Sequence, residues 1–521
     1  MSNISDNAQA FGIGVAVNNE ALSTTAKTMP RKLLIMATAT NTTALRDRPV
    51  RIFSESDAAD KFGYGSSAHR LAISAFKGHS GAVPTYTMIL DINGGARATA
   101  AIEVTAQAQH RAGAIYLYIM GKKHTITIGK TDTSAIIAQH ITETINANIA
   151  LPFSAEVDVS DDTKVILTAR EEGTFGNEIT LALNVNLANG EALPNGVTVN
   201  LIQFSGGLGT PNIDAALRNL GEGDNQNKDN YSGVVHSFGL DDVILDALSE
   251  YNGIGNEMIG NYSQLCARPF RSAVVDTIHR GSSGMSWLIN FGDGRAQDRT
   301  SAIVAAPFTM SAGSEVAAEF VAKAEAYNLQ YAGGSLAGLI LTGVDTLLDD
   351  VDNFTSQYTY RDNLLHAGIM PLIVQDGVTQ LSNTITTYHP GTISQDNNAF
   401  RRFVDISKTQ NILFNIHAIF STAKWRGFSV VEDAGLVGNP KVRAKCRDRI
   451  AVVGELFSLI DQFYDMGILF SKTPSINSLK QPDAITLRPD GSGFNILMAS
   501  QYSGEGGIIS GVITIDTGVS N

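Results

Sequence analysis

Apolar and polar positions follow two different periods along the chain, and their order predicts the fold. From residue 205 to 380, apolar runs alternate with stretches of helical spacing. Val234–Phe238 precedes a helix over Asp241–Tyr251, and Ser301–Phe308 precedes a helix that begins near Ser314. Strands that alternate with helices in this way predict a largely parallel sheet. Residues 29–92 have the same strand, helix, strand pattern, so we expect the two segments to form one α/β core domain.

Residues 97–204 have a different pattern, with short strands and a single helix. Ile115–Met120 and Thr125–Ile128 flank a glycine and two lysines, which predicts a hairpin. Isoleucine then recurs at every fourth position from Ile137 to Ile149, which predicts a helix with one apolar face. We therefore expect a β-rich α+β domain inserted into the core domain, and we expect it to face outward.

The two ends of the chain carry alternating strands that have no evident place in a core. Apolar residues alternate there with glycine and other small residues, at Phe11, Ile13, Val15, Val17, Ile509, Ile513 and Ile515. A strand of this kind is either an ordinary edge strand or an arm that adds to a sheet of another molecule. We predict an N-terminal arm over residues 1–28 and a C-terminal arm strand over 504–521. Between the core domain and that strand, residues 381–503 form a predicted C-terminal α+β domain with a long helix over Ile450–Tyr464.

Composition excludes several classes of protein. The chain has 521 residues and a formal net charge of −13, with 43% hydrophobic and only 17% charged residues. Disordered chains have few hydrophobic and many charged residues, which is the opposite of this composition. A net negative field repels the phosphates of nucleic acids. The sparse charge and the 49 glycines favour a protein whose surface contacts other proteins. Two distant cysteines give no disulfide framework, and no apolar run reaches the ~18 residues of a membrane span.

Sequence motifs for catalysis or cofactor binding are not found. The chain has no P-loop, no zinc-protease helix motif, no G-x-S-x-G and no EF-hand loop. The glycines at Gly12–Gly14 and Gly206–Gly209 do not complete a dinucleotide fingerprint, and the Asp/Asn cluster Asp224–Asp229 is typical of a solvated loop rather than a calcium site. We expect no catalytic residue, no cofactor and no metal. An α/β enzyme remains the alternative, recognisable by polar groups that converge on one place and titrate abnormally.

One segment is strongly basic. Residues 401–450 contain ten Lys or Arg against four Asp or Glu, a net +6 that leaves −19 for the rest of the chain. Within it, every second residue is basic at Lys441, Arg443, Lys445, Arg447 and Arg449. On an extended segment these side chains would share one face. The segment is either a solvated strand or loop, or a basic face that binds an acidic partner.

Several strings resemble those of Mu-type contractile tail sheath proteins. Their order and spacing match that family over most of the chain from about residue 30. The strings are LTAREEGTFGN at Leu167–Asn177, FGYGS at Phe62–Ser66, RDNLLHAGI at Arg361–Ile369, the pair Asp376-Gly377, and ITTY at Ile385–Tyr388.

The resemblance implies a structural protein rather than an enzyme. Sheath subunits of this family form stacked hexameric rings around a tail tube, and they contract to drive the tube through the host envelope for genome delivery. The implied partners are further copies of the chain, the tail tube protein, and the baseplate and tail terminator proteins, with no direct contact to nucleic acid and no membrane insertion. The implied location is the tail of the virion, after assembly in the host cytoplasm.

The resemblance also implies roles for the segments singled out above. The terminal strands would join neighbouring subunits, and the basic residues from Lys441 to Arg449 would face the tube. The alternative is the sheath of a phage-tail-like bacteriocin or a related contractile injection particle, and a neighbouring capsid gene, or its absence, would decide between the two.

Overall fold

The computed structural model of the chain describes residues 28–213, 216–217, 220, 231–252, 272–276, 284–298, 301–348, 357–389, 400–425, 427–491 and 493–504. The predicted arm strands, with Phe11 to Val17 and Ile509 to Ile515, lie outside these residues. The chain divides into two compact units. The described part of the larger unit is Thr28–Phe414 together with 502–504, and that of the smaller unit is Asn415–Gln501.

The described helices belong to both units and are numbered in chain order. They are α1 (Glu55–Phe62), α2 (Ser67–His79), α3 (Ser134–Asn146), α4 (Asp242–Asn252), α5 (Gly284–Gly294), α6 (Gly313–Gln330), α7 (Tyr358–His366), α8 (Phe403–Phe420), α9 (Pro440–Arg443), α10 (Arg449–Asp465) and α11 (Thr473–Lys480).

The described strands are short, most of them with seven residues or fewer. They are β1 (Leu33–Ala37), β2 (Pro49–Ile52), β3 (Thr85–Ile89), β4 (Arg97–Ala106), β5 (Gly113–Ile119), β6 (Lys122–Ile128), β7 (Phe153–Val157), β8 (Lys164–Glu172), β9 (Leu181–Leu183), β10 (Val197–Ser205), β11 (Gly233–His236), β12 (Ser272–Asp276), β13 (Ser301–Ala305), β14 (Ile340–Leu341), β15 (Ile369–Gln375), β16 (Val378–Leu381), β17 (Ser429–Val430), β18 (Cys446–Arg447), β19 (Leu469–Ser471), β20 (Ile485–Leu487), β21 (Phe494–Ile496) and β22 (Gln501–Tyr502).

A nine-stranded sheet forms the centre of the larger unit, in the order β14-β16-β15-β13-β12-β11-β1-β3-β2. The six strands from β15 to β3 are parallel, whereas β2, β14 and β16 at the edges pair antiparallel. The prediction of a largely parallel sheet is therefore confirmed, and the chain has a mixed α/β fold with several sheets.

Both faces of this sheet are covered around its central strand β1, which explains why that strand is apolar throughout. Along β1, Leu33, Ile35 and Ala37 belong to the hydrophobic cluster that also contains side chains of α2 and α6. Leu34 and Met36 point the other way, into a second cluster with residues of α4. Successive side chains of a strand point to opposite faces, so a strand covered on both sides has no polar positions to alternate with.

Residues 97–205 form two antiparallel sheets, β10-β4-β8-β7 and β6-β5-β9, with α3 packed against them. The predicted hairpin is present, and its two turn residues, Met120 and Gly121, both have positive φ (46° and 78°), as a type I′ turn requires. Ile137, Ile141 and Ile145 are buried on α3 as expected, but Ile149 lies beyond the end of the helix and is 56% exposed. One hydrophobic cluster continues from this segment to the nine-stranded sheet.

The predicted boundary at residue 381 differs from the structure. Ile385 and Phe403 are buried in the main cluster of the larger unit, and the division between units falls after Phe414, inside α8. Apolar side chains on either side of residue 390 therefore belong to the same core.

The smaller unit is organised around α10. Val452, Leu456, Leu459, Ile460 and Phe463 form its buried face, and α11 packs against it. Two small sheets complete the unit, β17-β18 and β20-β21. The long helix predicted over Ile450–Tyr464 is confirmed. None of the helices in the described residues has the length and apolar character needed to cross a membrane.

Candidate functional site

The basic segment does not form an extended strand. Asn439 caps the short helix α9 by accepting a hydrogen bond from the backbone N–H of Lys441 (2.9 Å), and Asp448 caps α10 by accepting one from Ala451 (2.9 Å). Only Cys446 and Arg447 lie in a strand. The five alternating basic residues are therefore spread over a helix, a turn, a strand and the start of a second helix, because the capping residues determine the backbone there.

Three of the five basic residues have structural contacts. The Arg447 guanidinium donates to the carbonyl oxygens of Lys424 (2.9 Å) and Cys446 (2.7 Å) and lies 5.7 Å from the centre of the Trp425 ring. Arg449 donates to the carbonyl of Gln481 (2.6 Å), and Arg443 donates through Nε to that of Val437 (2.8 Å). These side chains satisfy carbonyl groups of the surrounding loops and hold them in place.

Lys441 and Lys445 differ from the three arginines. Both side chains are exposed, and within the described residues neither ammonium group has an ion pair or hydrogen bond. Lys424, by contrast, is paired with Glu455. Of the predicted set, Lys441 and Lys445 are the residues whose charged groups make no hydrogen bond within the described part of the chain.

Other basic residues of the stretch 401–450 belong to the larger unit. Lys408 belongs to the larger unit, where it is 1% exposed and paired with Asp405 at 3.2 Å. Arg401 is in the same unit, and burial, followed by the nearby Arg402 charge, lowers its pKa. The net +6 of residues 401–450 is thus divided between two units.

A second group of polar residues lies at the carboxyl edge of the nine-stranded sheet. Thr38 follows β1, Ser237 follows β11, and Ser67 begins α2. The Ser67 hydroxyl lies 2.9 Å from that of Thr38 and accepts a hydrogen bond from Ser237 (3.3 Å). Because β3 and β11 lie on opposite sides of β1, this edge is the point at which the strand order reverses. Ligands of α/β proteins bind in the crevice at such a point.

A carboxylate from residues 97–205 occupies this position. Glu171, at the end of β8, accepts a hydrogen bond from the backbone N–H of Ser67 at the start of α2 (2.7 Å). Burial raises the pKa of Glu171 to about 7, although the hydrogen bonds from Ser67 and Thr38 favour its charged form. The start of a helix favours a negative charge, so Glu171 takes the place that a bound anion would have.

A second carboxylate from the same segment caps the neighbouring helix. Ser314, in the first turn of α6, donates its backbone N–H (2.7 Å) and its hydroxyl (2.8 Å) to Glu178. The residue before α6 is Ala312, which offers no side-chain cap. A buried pair between Arg70 and Glu315 (2.6 Å) then joins the first turns of α2 and α6.

The carboxyl edge therefore combines converging polar groups with an abnormal pKa, the signs by which an α/β enzyme would be recognised. Its groups, however, bind one another, and they fasten β8 to α2 and the turn after β8 to α6. No cluster of three or more residues able to ligate a metal occurs in the described part of the chain. Sequence reasoning missed Glu171 and Glu178, which lie 104 and 136 positions from their partners. The only signal was their place within and beside the LTAREEGTFGN segment.

Comparison with curated proteins finds a similar sequence in Haemophilus influenzae (strain ATCC 51907 / DSM 11121 / KW20 / Rd). The chain is 27% identical over 205 residues to its Mu-like prophage FluMu tail sheath protein. The resemblance to Mu-type tail sheath proteins is confirmed. The match covers 39% of this chain and 41% of the relative, so it spans less than half the length of either protein. No family model matches the chain.

Solved structures of sheath proteins are also similar to the chain. The sheath tail protein from Desulfitobacterium hafniense is 13% identical with a TM-score of 0.45, over 94% of this chain and 96% of that one. The sheath tail protein Lin1278 from Listeria innocua is 12% identical with a TM-score of 0.44, over 93% and 94%. The contracted PVC sheath complex of an extracellular contractile injection system is 8% identical with a TM-score of 0.45, over 98% and 99%. All three TM-scores lie below 0.5, so the functional argument rests on the sequence match.

Proposed function

We propose that this chain is a structural subunit of a contractile tail sheath, which polymerises around a tail tube and contracts to drive the tube through the host envelope. The observation that carries the proposal is the similarity to the FluMu tail sheath protein. The strings at Leu167–Asn177, Arg361–Ile369 and Ile385–Tyr388 support it, because they follow the order expected for Mu-type sheath proteins.

The larger unit suits a subunit that must transmit force without deforming. Its central sheet is buried on both faces, and Glu171 and Glu178 fasten the additional sheets to the starts of α2 and α6. Well-packed cores are bistable rather than continuously deformable. Contraction would therefore change the contacts between rigid subunits, from a metastable extended lattice to one with larger buried contacts.

The terminal segments would supply the joints of that lattice. A strand from Phe11 to Val17 would bury its apolar side chains and pair its backbone by adding to the sheet of another subunit. Each added main-chain hydrogen bond contributes about 0.5–1.5 kcal/mol. Ile509, Ile513 and Ile515 would have the same role at the other end.

The smaller unit would contact the tube through Lys441 and Lys445. Exposed ion pairs contribute only about 0–1 kcal/mol each and are screened by salt. Such contacts would align sheath and tube during assembly and would release when the sheath widens. The other proposed partners are further copies of the chain, the baseplate and the tail terminator. The proposed location is the virion tail.

Negative-stain electron microscopy of the purified protein tests the proposal. We expect hollow, striated tubes, formed by the protein alone or on addition of its tube protein. A folded chain that remains monomeric at high concentration, with and without the tube protein, would refute the sheath function.

A further inference from the structure

One turn of helix α8 binds the two segments with which the larger unit begins and ends in the described residues. On the N-terminal side, the backbone N–H of Met29 donates to Asn411 Oδ1 (2.9 Å). Two residues later, Arg31 Nη1 donates to Gln410 Oε1 (2.6 Å). Both contacts are buried, and Arg31 is only 2% exposed.

The C-terminal side is bound by the two preceding residues of the same helix. The Tyr502 hydroxyl lies 2.9 Å from Thr409 Oγ1, and Lys408 Nζ donates to the carbonyl oxygen of Ser503. Lys408 is 1% exposed. Four consecutive helix positions therefore contact chain segments that are more than 470 residues apart in sequence.

The four contacting positions are distributed around α8 rather than confined to one face. Successive residues of an α-helix are rotated by ~100°, so positions 408–411 together cover most of a full turn. Lys408 and Asn411, three positions apart, differ by only ~60°, so the side chains that bind Ser503 and Met29 start from neighbouring positions of the helix.

The contacts on the N-terminal side continue into the core, which leaves α8 little freedom to move independently. Gln410 Nε2 donates to the carbonyl of Ser232 (3.1 Å), Asn328 Nδ2 of α6 donates to the Ser407 hydroxyl of α8 (2.8 Å), and Arg31 Nη1 lies 3.7 Å from Glu325 Oε2. A shift of the helix would leave several of these buried polar groups without partners, so the network has few alternative arrangements.

We propose that residues 408–411 of α8 couple the two ends of the chain, so that release of residues 502–503 loosens residues 29–31, and the reverse. The coupling is a property of a single chain. Its meaning for a sheath rests on the proposed function: if residues 1–28 and 504–521 join neighbouring subunits, α8 would transmit displacement of one joint to the other within each subunit.

Hydrogen exchange of monomeric truncated chains tests the coupling. A chain ending at Ser503 keeps the contacts to Lys408 and Thr409, whereas a chain ending at Gln501 loses them. We expect amide exchange in residues 29–33 to be roughly five- to tenfold faster in the shorter chain, at the lower end of ordinary coupling between sites. Exchange in the hairpin 113–128 should be equal in the two chains.

The reciprocal experiment starts from the other side. A chain beginning at Lys32 lacks Met29 and Arg31, and we expect faster exchange at residues 502–503 than in a chain beginning at Thr28, since coupling between two sites is mutual. Equal exchange in residues 29–33 of the two C-terminal truncations would overturn the proposal.

If truncation loosens the whole unit, exchange in residues 113–128 will also be faster. A conservative variant then tests the coupling. Tyr502→Phe removes only the hydroxyl contact with Thr409, and it should still accelerate exchange in residues 29–33. An unchanged rate there would also overturn the coupling. The sheath function is tested separately, by tube formation of the full-length chain, since chains without residues 1–20 or 505–521 are expected to remain monomeric.

Discussion

Glu171 makes the stability of the larger unit depend on pH, and Glu171→Gln should remove that dependence. The pKa of this carboxyl group is raised from 4.5 to about 7 by burial. In the unfolded chain it would titrate near its ordinary value. Gln keeps an oxygen that can accept the hydrogen bond from the Ser67 N–H, but it has no charge at any pH.

The sign of this pH dependence follows from the number of protons bound in the folded and the unfolded state. Between the unfolded and folded pKa values, the folded chain holds a proton on Glu171 that the unfolded chain has lost, so the free energy of unfolding falls as the pH rises. Between pH 5 and pH 8 the free energy of unfolding falls by the equivalent of about two pKa units, which is about 2–3 kcal/mol at 1.36 kcal/mol per unit. The Gln variant has no titrating group at position 171 and should not lose this free energy. Its stability relative to the natural chain should therefore rise by about 2–3 kcal/mol from pH 5 to pH 8.

Urea unfolding followed by hydrogen-exchange mass spectrometry of residues 67–79 and 164–172 measures the effect in the right part of a chain with two units. Glu156→Gln is the matched control, because Glu156 is an exposed carboxylate in the same four-stranded sheet. The reasoning fails if the stability difference between Glu171→Gln and the natural chain is the same at pH 5 and pH 8.

Three further predictions concern the cap of α6, the basic residues and the chain ends. Glu178→Ala should cost about 1–2 kcal/mol, as loss of a helix cap does, measured by exchange across 313–330; an unchanged rate would contradict the role of Glu178. Lys441→Glu should weaken assembly on the tube more at low than at high salt, whereas Lys480→Glu, an exposed control in the same unit, should not; equal effects would favour a merely solvated face. Deletion of residues 1–20 or 505–521 should leave a folded monomer by circular dichroism and gel filtration that forms no sheath, and normal tubes from either deletion would exclude the arms as joints.

The parallel sheet could be predicted because its central strands are buried on both faces and are therefore recognisable as apolar runs. Helix α8 could not be predicted in this way. It buries Ser407, Lys408, Gln410 and Asn411, so polar residues occupy positions that an ordinary amphipathic helix gives to apolar ones. Its hydrophobic period is interrupted by the side chains that bind distant segments of the chain.

The basic segment was predictable in composition but not in geometry. Alternation from Lys441 to Arg449 suggests an extended strand, yet Asn439, Pro440 and Asp448 are local signals for helix starts and determine the backbone. The sequence also could not show that Lys441 and Lys445 differ from the arginines, since the carbonyl oxygens of Lys424 and Gln481, which Arg447 and Arg449 bind, lie 23 and 32 positions away.

The position of β8 indicates where foreign peptides could be added to this protein. One end of the strand carries Glu171 and leads to Glu178, so added residues there would disturb α2 and α6. At the other end, Asp158 and Asp161 each close a local turn with Ser160 and Thr163, and Val159 is fully exposed. A tag or binding peptide placed in this turn would leave the fastened end untouched. If the chain forms tubes, each would then display the peptide once per subunit along its length.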